Sequence, residues 1–350
     1  MGWRYEWKIH SLAIVGIPRR NIMATVCVGI PTRNRPEYVK EALQSVLNQT
    51  YKDIRIIVSD NASEKDSALA VERYIDQLNN PLVSYRYQQT DIKEYGQGRY
   101  LFQECQEDYF TILHDDDTWE PKFLEVTVRL LEGDPSLDLV TTDQYVMDTE
   151  GQRQPQLTEE YGEYQGRTRY REGILPSILE PLFTYGFFPI TGTIFRTDSL
   201  KRSGLVDQDC GGNYPFEFNL FLRLGERNMK AYFAATRLVN YRFHRTSLRA
   251  TEAKGLNRDI LETYIKLVER RKFAGAMERK RRQSLAAPYR NYAILRFLDN
   301  DRLGCYRYLG KALHVSPVNW KVWVYAVIAC LFPFIIKPMF TRKLASSVKR

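Results

Sequence analysis

The chain has 350 residues, 44% of them hydrophobic, and a formal net charge of +9. That length allows a main domain with an extension, and the apolar content excludes a disordered chain. Residues 1–250 carry 30 basic and 35 acidic side chains, a balance of −5, whereas residues 251–350 carry 21 and 7, a balance of +14. The excess positive charge sits beside the most apolar segment, which favours an anionic membrane surface as a partner and argues against nucleic acid.

Residues 1–22 hold only a short apolar run, Leu12 to Ile17, and no convincing secretory signal. Met23 immediately precedes the first clear strand, so the native start is expected at Met23, with residues 1–22 either an added extension or a loose N-terminal arm. Ala24–Ile30 is a β-rich run ended by Pro31. Pro36–Asn48 places Val39, Ala42, Leu43, Val46 and Leu47 at helical spacing. Asp53–Ser59, Leu82–Tyr87 and Tyr109–Leu113 read as further strands, separated by helices at Ser63–Leu78 and Arg99–Cys105. Strands alternating with helices imply a mostly parallel sheet, whose ligands sit at the strands' carboxyl ends.

Pro121–Leu131 then reads as a helix and Leu137–Asp143 as a strand. Gly151–Arg171 is polar and is expected to be a long loop or a pair of edge strands. Ile190–Arg196 is apolar, Phe216–Glu226 is helical, and Met229–Ala234 and Leu238–Phe243 read as the last strands. Beyond residue 250 the pattern is helix alone: Leu256–Arg271, Ser284–Leu298 and Asp301–His314.

The segment Val322–Ile336 carries no charge but has only fifteen residues, interrupted by Pro333. As a helix it covers roughly 22 Å, short of a hydrocarbon core of ~30 Å. Trp320, Trp323 and Tyr325 at one end, and Lys337, Arg342 and Lys343 at the other, suit a helix lying in the membrane interface. A tilted span and docking on the protein core are the alternatives. Five scattered cysteines (Cys27, Cys105, Cys210, Cys305, Cys330) form no C-x-x-C pair, as expected of reduced, buried thiols in a cytosolic protein.

The strand Tyr109–Leu113 runs directly into Asp115-Asp116-Asp117. Adjacent carboxylates repel, and either water at a surface turn or a divalent cation relieves that repulsion. Hard oxygen ligands in this position suit Mg²⁺ or Mn²⁺, which in such sites bridge to a phosphate. Alone, the run reads equally as a solvated turn or as a metal site. Two other strand ends add weight to the second reading. Pro31-Thr32-Arg33-Asn34-Arg35 precedes a helix whose N-terminal amides face a ligand, and Ser59-Asp60-Asn61-Ala62-Ser63 offers an acceptor for a base N–H. Ser63 reads equally as a helix N-cap. Together the three point to a nucleotide bound through base, ribose and diphosphate.

With these motifs the chain resembles the family 2 glycosyltransferases of GT-A fold. The resemblance runs through Val26–Ser63, the acidic run, Ile190–Arg196, Phe216–Leu224 and Tyr241–Ser247, and covers about residues 24–250. It implies an α/β fold with a GT-A (Rossmann-like), mostly parallel central sheet flanked by helices, followed by an all-helical extension. The expected division is an arm at 1–22, a GT-A domain at 23–250, a helical extension at 251–319 and a membrane-associating tail at 320–350. The implied activity is inverting transfer of a hexosyl-type sugar from a nucleotide-sugar donor, UDP-linked, to a hydroxyl of a glycan or lipid-linked acceptor. The expected place is the cytoplasmic face of the cell membrane, with the protein peripheral to it. A non-catalytic module that binds a nucleotide sugar at the membrane is the alternative.

The resemblance also implies site roles. Asp60 would recognise the base, with Pro31, Thr32, Asn34 and Asn61 in the same pocket and Asp115 on the ribose. Asp116, Asp117 and His244 would hold Mg²⁺ or Mn²⁺. The family's acidic motif reads Asp, any residue, Asp, Asp; here His114 takes the first position. Glu217 would be the base, where the family has Asp, and a helix-N-terminal Glu favoured by the dipole is the other reading. Arg242 and Arg245 would add charge near the leaving group, Gly192-Thr193 would leave room for sugar or acceptor, and Arg223 would be structural. The arginines at 167, 169 and 171 would meet either an acceptor phosphate or solvent.

Overall fold

The computed structural model describes residues 24–207, 216–244, 257–318, 320 and 322–324. The first half alternates as expected: β1 (Val26–Thr32), α1 (Pro36–Leu47), β2 (Ile54–Asp60), α2 (Lys65–Leu78), β3 (Val83–Tyr87), α3 (Lys93–Gln103) and β4 (Tyr109–Ile112). β1 is an unbroken apolar run because a parallel strand is covered on both faces. Val26, Val28 and Ile30 enter one core with Val39, Leu43 and Val46 of α1, and Cys27 enters the other. Pro31 does not end the strand. It pairs with Ser59 beyond the last β1–β4 pair, Gly29–Ile112, where its missing N–H leaves no ladder partner orphaned.

The chain continues through β5 (Thr118–Trp119), α4 (Phe123–Gly133), β6 (Leu139–Met147), α5 (Pro155–Tyr164), β7 (Gly173–Ile174), α6 (Leu179–Tyr185), β8 (Thr193–Arg196), α7 (Thr197–Ser203), α8 (Phe216–Glu226) and β9 (Ala231–Arg242). The sheet order is β3-β2-β1-β4-β8-β6-β9-β5, with β7 beside β9. β8 runs antiparallel between β4 and β6, so β3, β2, β1, β4, β6 and β9 all point the same way. Their carboxyl ends share one edge of the sheet.

Three expectations change. Gly151–Arg171 is neither loop nor edge strands but contains α5, which starts on Pro155 at its first position. Thr158 ties that helix to the sheet by accepting from the Val146 amide at 2.9 Å. The two segments expected as separate last strands are one, β9, because its register against β6 shifts at Thr142–Gln144 and carries the strand past its polar middle. The apolar segment Ile190–Arg196, read as one piece, divides into a 3₁₀ turn at Ile190–Gly192 and a strand at Thr193–Arg196.

Four helices follow: α9 (Arg258–Glu269), α10 (Gly275–Ser284), α11 (Ala286–Leu298) and α12 (Arg302–Val315). Asp301 caps α12 by accepting from the Gly304 amide at 2.8 Å. Leu261, Ile265, Tyr289 and Leu309 join one apolar cluster with Phe183, Phe216 and Phe221 of the sheet domain. The arm at 1–22 lies outside the described residues, as does most of the apolar tail. Among the described residues, no helix is long and apolar enough to cross a membrane.

Candidate active site

The rim over β1 and β2 is built from interlocked loops. Thr32 pairs in register with Asp60, which is fully buried. Asp60 Oδ1 accepts from the Ser63 amide and Oδ2 from the Tyr85 hydroxyl, both at 2.8 Å. Asn34 has a left-handed backbone, φ +55°, a conformation Asn tolerates better than most residues. Its amide donates to Ser63 Oγ at 2.8 Å and its Oδ1 accepts from the Glu64 amide at 2.7 Å. Ser63 therefore clasps the neighbouring loop, and the N-cap position of α2 falls to Glu64. Asn61 donates to Asp91 Oδ1 and accepts from the Ile92 amide, each at 2.9 Å. Pro31, Thr32, Asn34, Asp60 and Asn61 thus lie together at one edge.

Next to this rim, each residue of the acidic run has a different setting. Asp115 is buried; its Oδ2 accepts from Thr32 Oγ1 at 2.8 Å and its Oδ1 from Arg35 Nη1 at 3.2 Å. The same guanidinium nitrogen reaches Asp116 Oδ2 at 2.9 Å, and His244 Nε2 lies 3.0 Å from that oxygen. Asp117 Oδ1 accepts from the Arg242 amide at 2.8 Å, while Oδ2 is buried and has no hydrogen-bond partner. Burial pushes Asp115 up despite Arg35. Burial works the same way on Asp116, but His114, Arg35 and His244 outweigh it and hold that carboxyl below its usual range. Burial and the charge of Asp116 raise Asp117 to about 7.

Glu217 enters from the first turn of α8. His114 Nε2 lies 3.2 Å from Glu217 Oε1 and connects it to the acidic run. The His114 side chain is 36% exposed to the cleft, though protein crowds it. That crowding disfavours its charged form, but Glu217, Asp117 and Asp116 prevail and raise its pKa to about 10.

Sequence reasoning missed Arg35, which stands one residue before α1 beside Asn34, and the contact that gives His114 a partner. It also missed Tyr161 of α5. That ring stacks on Tyr241 at 5.3 Å and 7°, with Tyr164 next to it at 6.3 Å and Phe243 on its edge. Tyr161 and Tyr241 both feel the charge of Asp117.

Other expectations fail on packing. Arg242 does not face a leaving group. Its buried guanidinium pairs with Glu41 and donates to the carbonyls of Asp116, at 2.8 Å, and Thr149, at 2.9 Å. Gly192 leaves no room for a sugar: a side chain there would meet Pro189 at 3.1 Å and Val239 at 3.3 Å. Arg167 faces neither solvent nor an open phosphate site, being buried against Asp143 at 3.3 Å and Gln165 at 2.7 Å. Arg223 is structural, donating to the Ser203 carbonyl at 2.7 Å. Arg245 lies outside the described residues.

The residues present fit a divalent cation. Asp116 and Asp117 each offer a ligand atom beside the His114 ring, all within 4.8 Å of one another, and Asp117 Oδ2 is an orphaned buried acceptor. His244 adjoins the set through Asp116.

Comparison with known proteins bears on the family and the fold. Residues 27–194 match the Glycosyl transferase family 2 profile. The chain is 26% identical over 152 residues to WcaA, a colanic acid biosynthesis glycosyl transferase of Escherichia coli K12, covering 43% of this chain and 54% of that protein. It thus spans about half the length of this relative. A crystal structure of S. aureus TarS 1–349 with UDP-GlcNAc superposes with a TM-score of 0.57 at 14% identity, over 92% of this chain and 90% of that one. The mannosyltransferase PcManGT of Pyrobaculum calidifontis, with GDP-Man and Mn²⁺, gives 0.50 at 14% identity over 93% and 86%. With the fold shared across the molecule and the profile matched over residues 27–194, that part of the chain is a family 2 glycosyltransferase domain and the chain has the GT-A fold.

Proposed function

We propose that the protein is an inverting glycosyltransferase that passes a sugar from a UDP-linked donor to a hydroxyl of a glycan or lipid-linked acceptor. The observation that carries this reading is the meeting of Glu217 with the acidic run through His114, at the carboxyl edge behind the Thr32–Asp60 rim. Nucleoside pocket, diphosphate site and base then lie in the order that a single displacement needs.

The base would sit at the Pro31–Thr32 and Asp60–Asn61 ends, with a lone pair of Asp60 accepting from its imide N–H. Asp115, presented by Thr32 and Arg35, would take the ribose. Asp116 and Asp117, with His244 adjoining, would hold Mg²⁺ or Mn²⁺, which when bound supplies positive charge opposite the departing diphosphate. Arg35 adds a fixed cation beside the same oxygens. Glu217 accepts the proton of the acceptor hydroxyl as that oxygen bonds to the anomeric carbon. The carbon's bond to the diphosphate oxygen breaks, and its electron pair leaves with UDP. Inversion follows from one displacement.

The Tyr241–Tyr161–Tyr164 stack offers the acceptor an aromatic surface running from the carboxylates to solvent, where Tyr164 is 69% exposed. Amphipathic rings of this kind suit sugars, which present both apolar C–H faces and hydroxyls. Tyr164→Ala should therefore raise the acceptor KM about 2- to 10-fold, in line with a lost aromatic contact of about 0.5–1.5 kcal/mol. Donor hydrolysis should stay unchanged; a fall in donor hydrolysis instead would place Tyr164 elsewhere.

Trp320 and Trp323, 67% and 51% exposed, together with the basic balance of the last hundred residues, support docking on an anionic membrane surface, at its cytoplasmic face. Turnover decides the main reading. A panel of UDP- and GDP-sugars, each with Mn²⁺ or Mg²⁺, should yield a UDP-sugar that both raises the melting temperature and is consumed. Stabilisation by donor with no transfer to any of a broad set of glycan and glycolipid acceptors would favour a binding module instead.

A further inference from the structure

His114 and Glu217, far apart in sequence, touch: Nε2 and Oε1 are 3.2 Å apart. We propose that His114 is the positioning residue of the general base, fixing Glu217 so that its second oxygen faces the acceptor hydroxyl. The proposal rests on the glycosyltransferase reading.

Glutamate reaches into the cleft on three rotatable side-chain bonds, and its side chain is 31% exposed, so packing alone does not fix its direction. A base must lie within hydrogen-bond reach of the proton it takes. His114 is well placed to supply that constraint. The amide of its neighbour Leu113 donates to the Gly29 carbonyl at 3.0 Å, and its own carbonyl accepts from the Asp117 amide at 3.2 Å. With Nε2 3.2 Å from Oε1, the imidazole engages that oxygen and leaves Oε2 for the acceptor. In the step itself the hydroxyl proton passes to Oε2, the acceptor oxygen bonds to the anomeric carbon, and the bond to the diphosphate breaks with its electron pair on UDP.

The surroundings explain why a histidine suits this position. Asp116 and Asp117 present oxygens within 4.8 Å of the His114 ring. A carboxylate at 114 would set a further like charge against Glu217 and drive it out of the cleft. Histidine donates a hydrogen bond instead, and the longer Glu217 reaches across to meet it. The two positions are therefore expected to act as one unit.

A double-mutant cycle on the full chain tests this. His114→Ala should lower kcat about 10- to 100-fold with donor KM and Mn²⁺-induced stabilisation unchanged, and His114→Gln, which keeps an N–H donor, should recover part of the loss. Glu217→Gln should cost more than 10³-fold, with the double variant no worse, as for residues acting as a unit. Additive losses, or a weakened response to Mn²⁺ in His114→Ala, would overturn the proposal, the latter by making His114 a ligand. Should the alanine variant fail to fold, the glutamine variant carries the same comparison. The contact is also read without turnover: the His114 imidazole ¹⁵N resonances should move in Glu217→Gln, and unmoved resonances overturn it even if transfer is never observed. Absent transfer in wild type with those resonances moved would sink the enzymatic reading instead.

Discussion

Asp115, Asp116 and Asp117 are consecutive in sequence, yet each meets different partners: Thr32 with Arg35, Arg35 with His244, and the Arg242 amide. This division is what a turn directly after a strand achieves, and it sets Asp115 apart from the two carboxylates proposed to hold an ion. Asp116→Asn should reduce transfer at least 100-fold while the melting temperature stays near wild type, since its partners Arg35 and His244 are partly exposed. A fully active variant would remove Asp116 from the site. Arg242→Met should act differently. It strands Glu41 and the Asp116 and Thr149 carbonyls, and should cost on the order of 2–4 kcal/mol in chemical denaturation. The acidic run and Glu217 were legible because strand, carboxylates and helix start are local patterns. Arg242 was misread because a charged residue beside a motif looks the same in sequence whether it faces a ligand or buttresses a loop.

At the scale of elements, β1 to β4 and α8 were readable from apolar runs and helical spacing. Helix α5 was not, because its one buried position is Thr158, which gives no aliphatic period. The split reading of β9 has a related cause: a register shift against β6 interrupts the alternation that sequence reasoning depends on. The helical extension is joined to the sheet domain by more than apolar contact. Asp207 accepts from Arg271 at 2.7 Å and Arg223 at 3.2 Å and pairs with Arg270, while Arg271 also pairs with Glu226 at 2.7 Å. Burial raises the Asp207 carboxyl, but Arg271 and Arg270 outweigh it and hold it below the ordinary range. A depressed carboxyl adds stability that is present above its unfolded value of about 3.9 and is lost as pH falls through the folded value. Asp207→Asn should therefore cost about 2–4 kcal/mol at pH 7, by leaving the buried Arg271 short of a partner. The gap from wild type should close as acid protonates Asp207. A gap that persists unchanged below the folded value would show that the loss is not electrostatic.

On the scale of the whole molecule, six strands running in one direction collect the Thr32–Asp60 rim, three carboxylates and a helix-borne glutamate at one edge, although these lie far apart in sequence. The extension buries its apolar face in the same core and carries the chain's positive charge toward the tail. Deleting residues 320–350 should release the protein from vesicles rich in phosphatidylserine while leaving donor binding intact. Unchanged vesicle binding would assign membrane contact elsewhere. The account's central claim is that Glu217 completes a catalytic site around the acidic run. Its most direct measurement compares wild type with Glu217→Gln, given a UDP-sugar that binds and its acceptor, for donor affinity and for transfer. The expected result is equal donor affinity and a loss of transfer exceeding 10³-fold; transfer by the variant at the wild-type rate would contradict it.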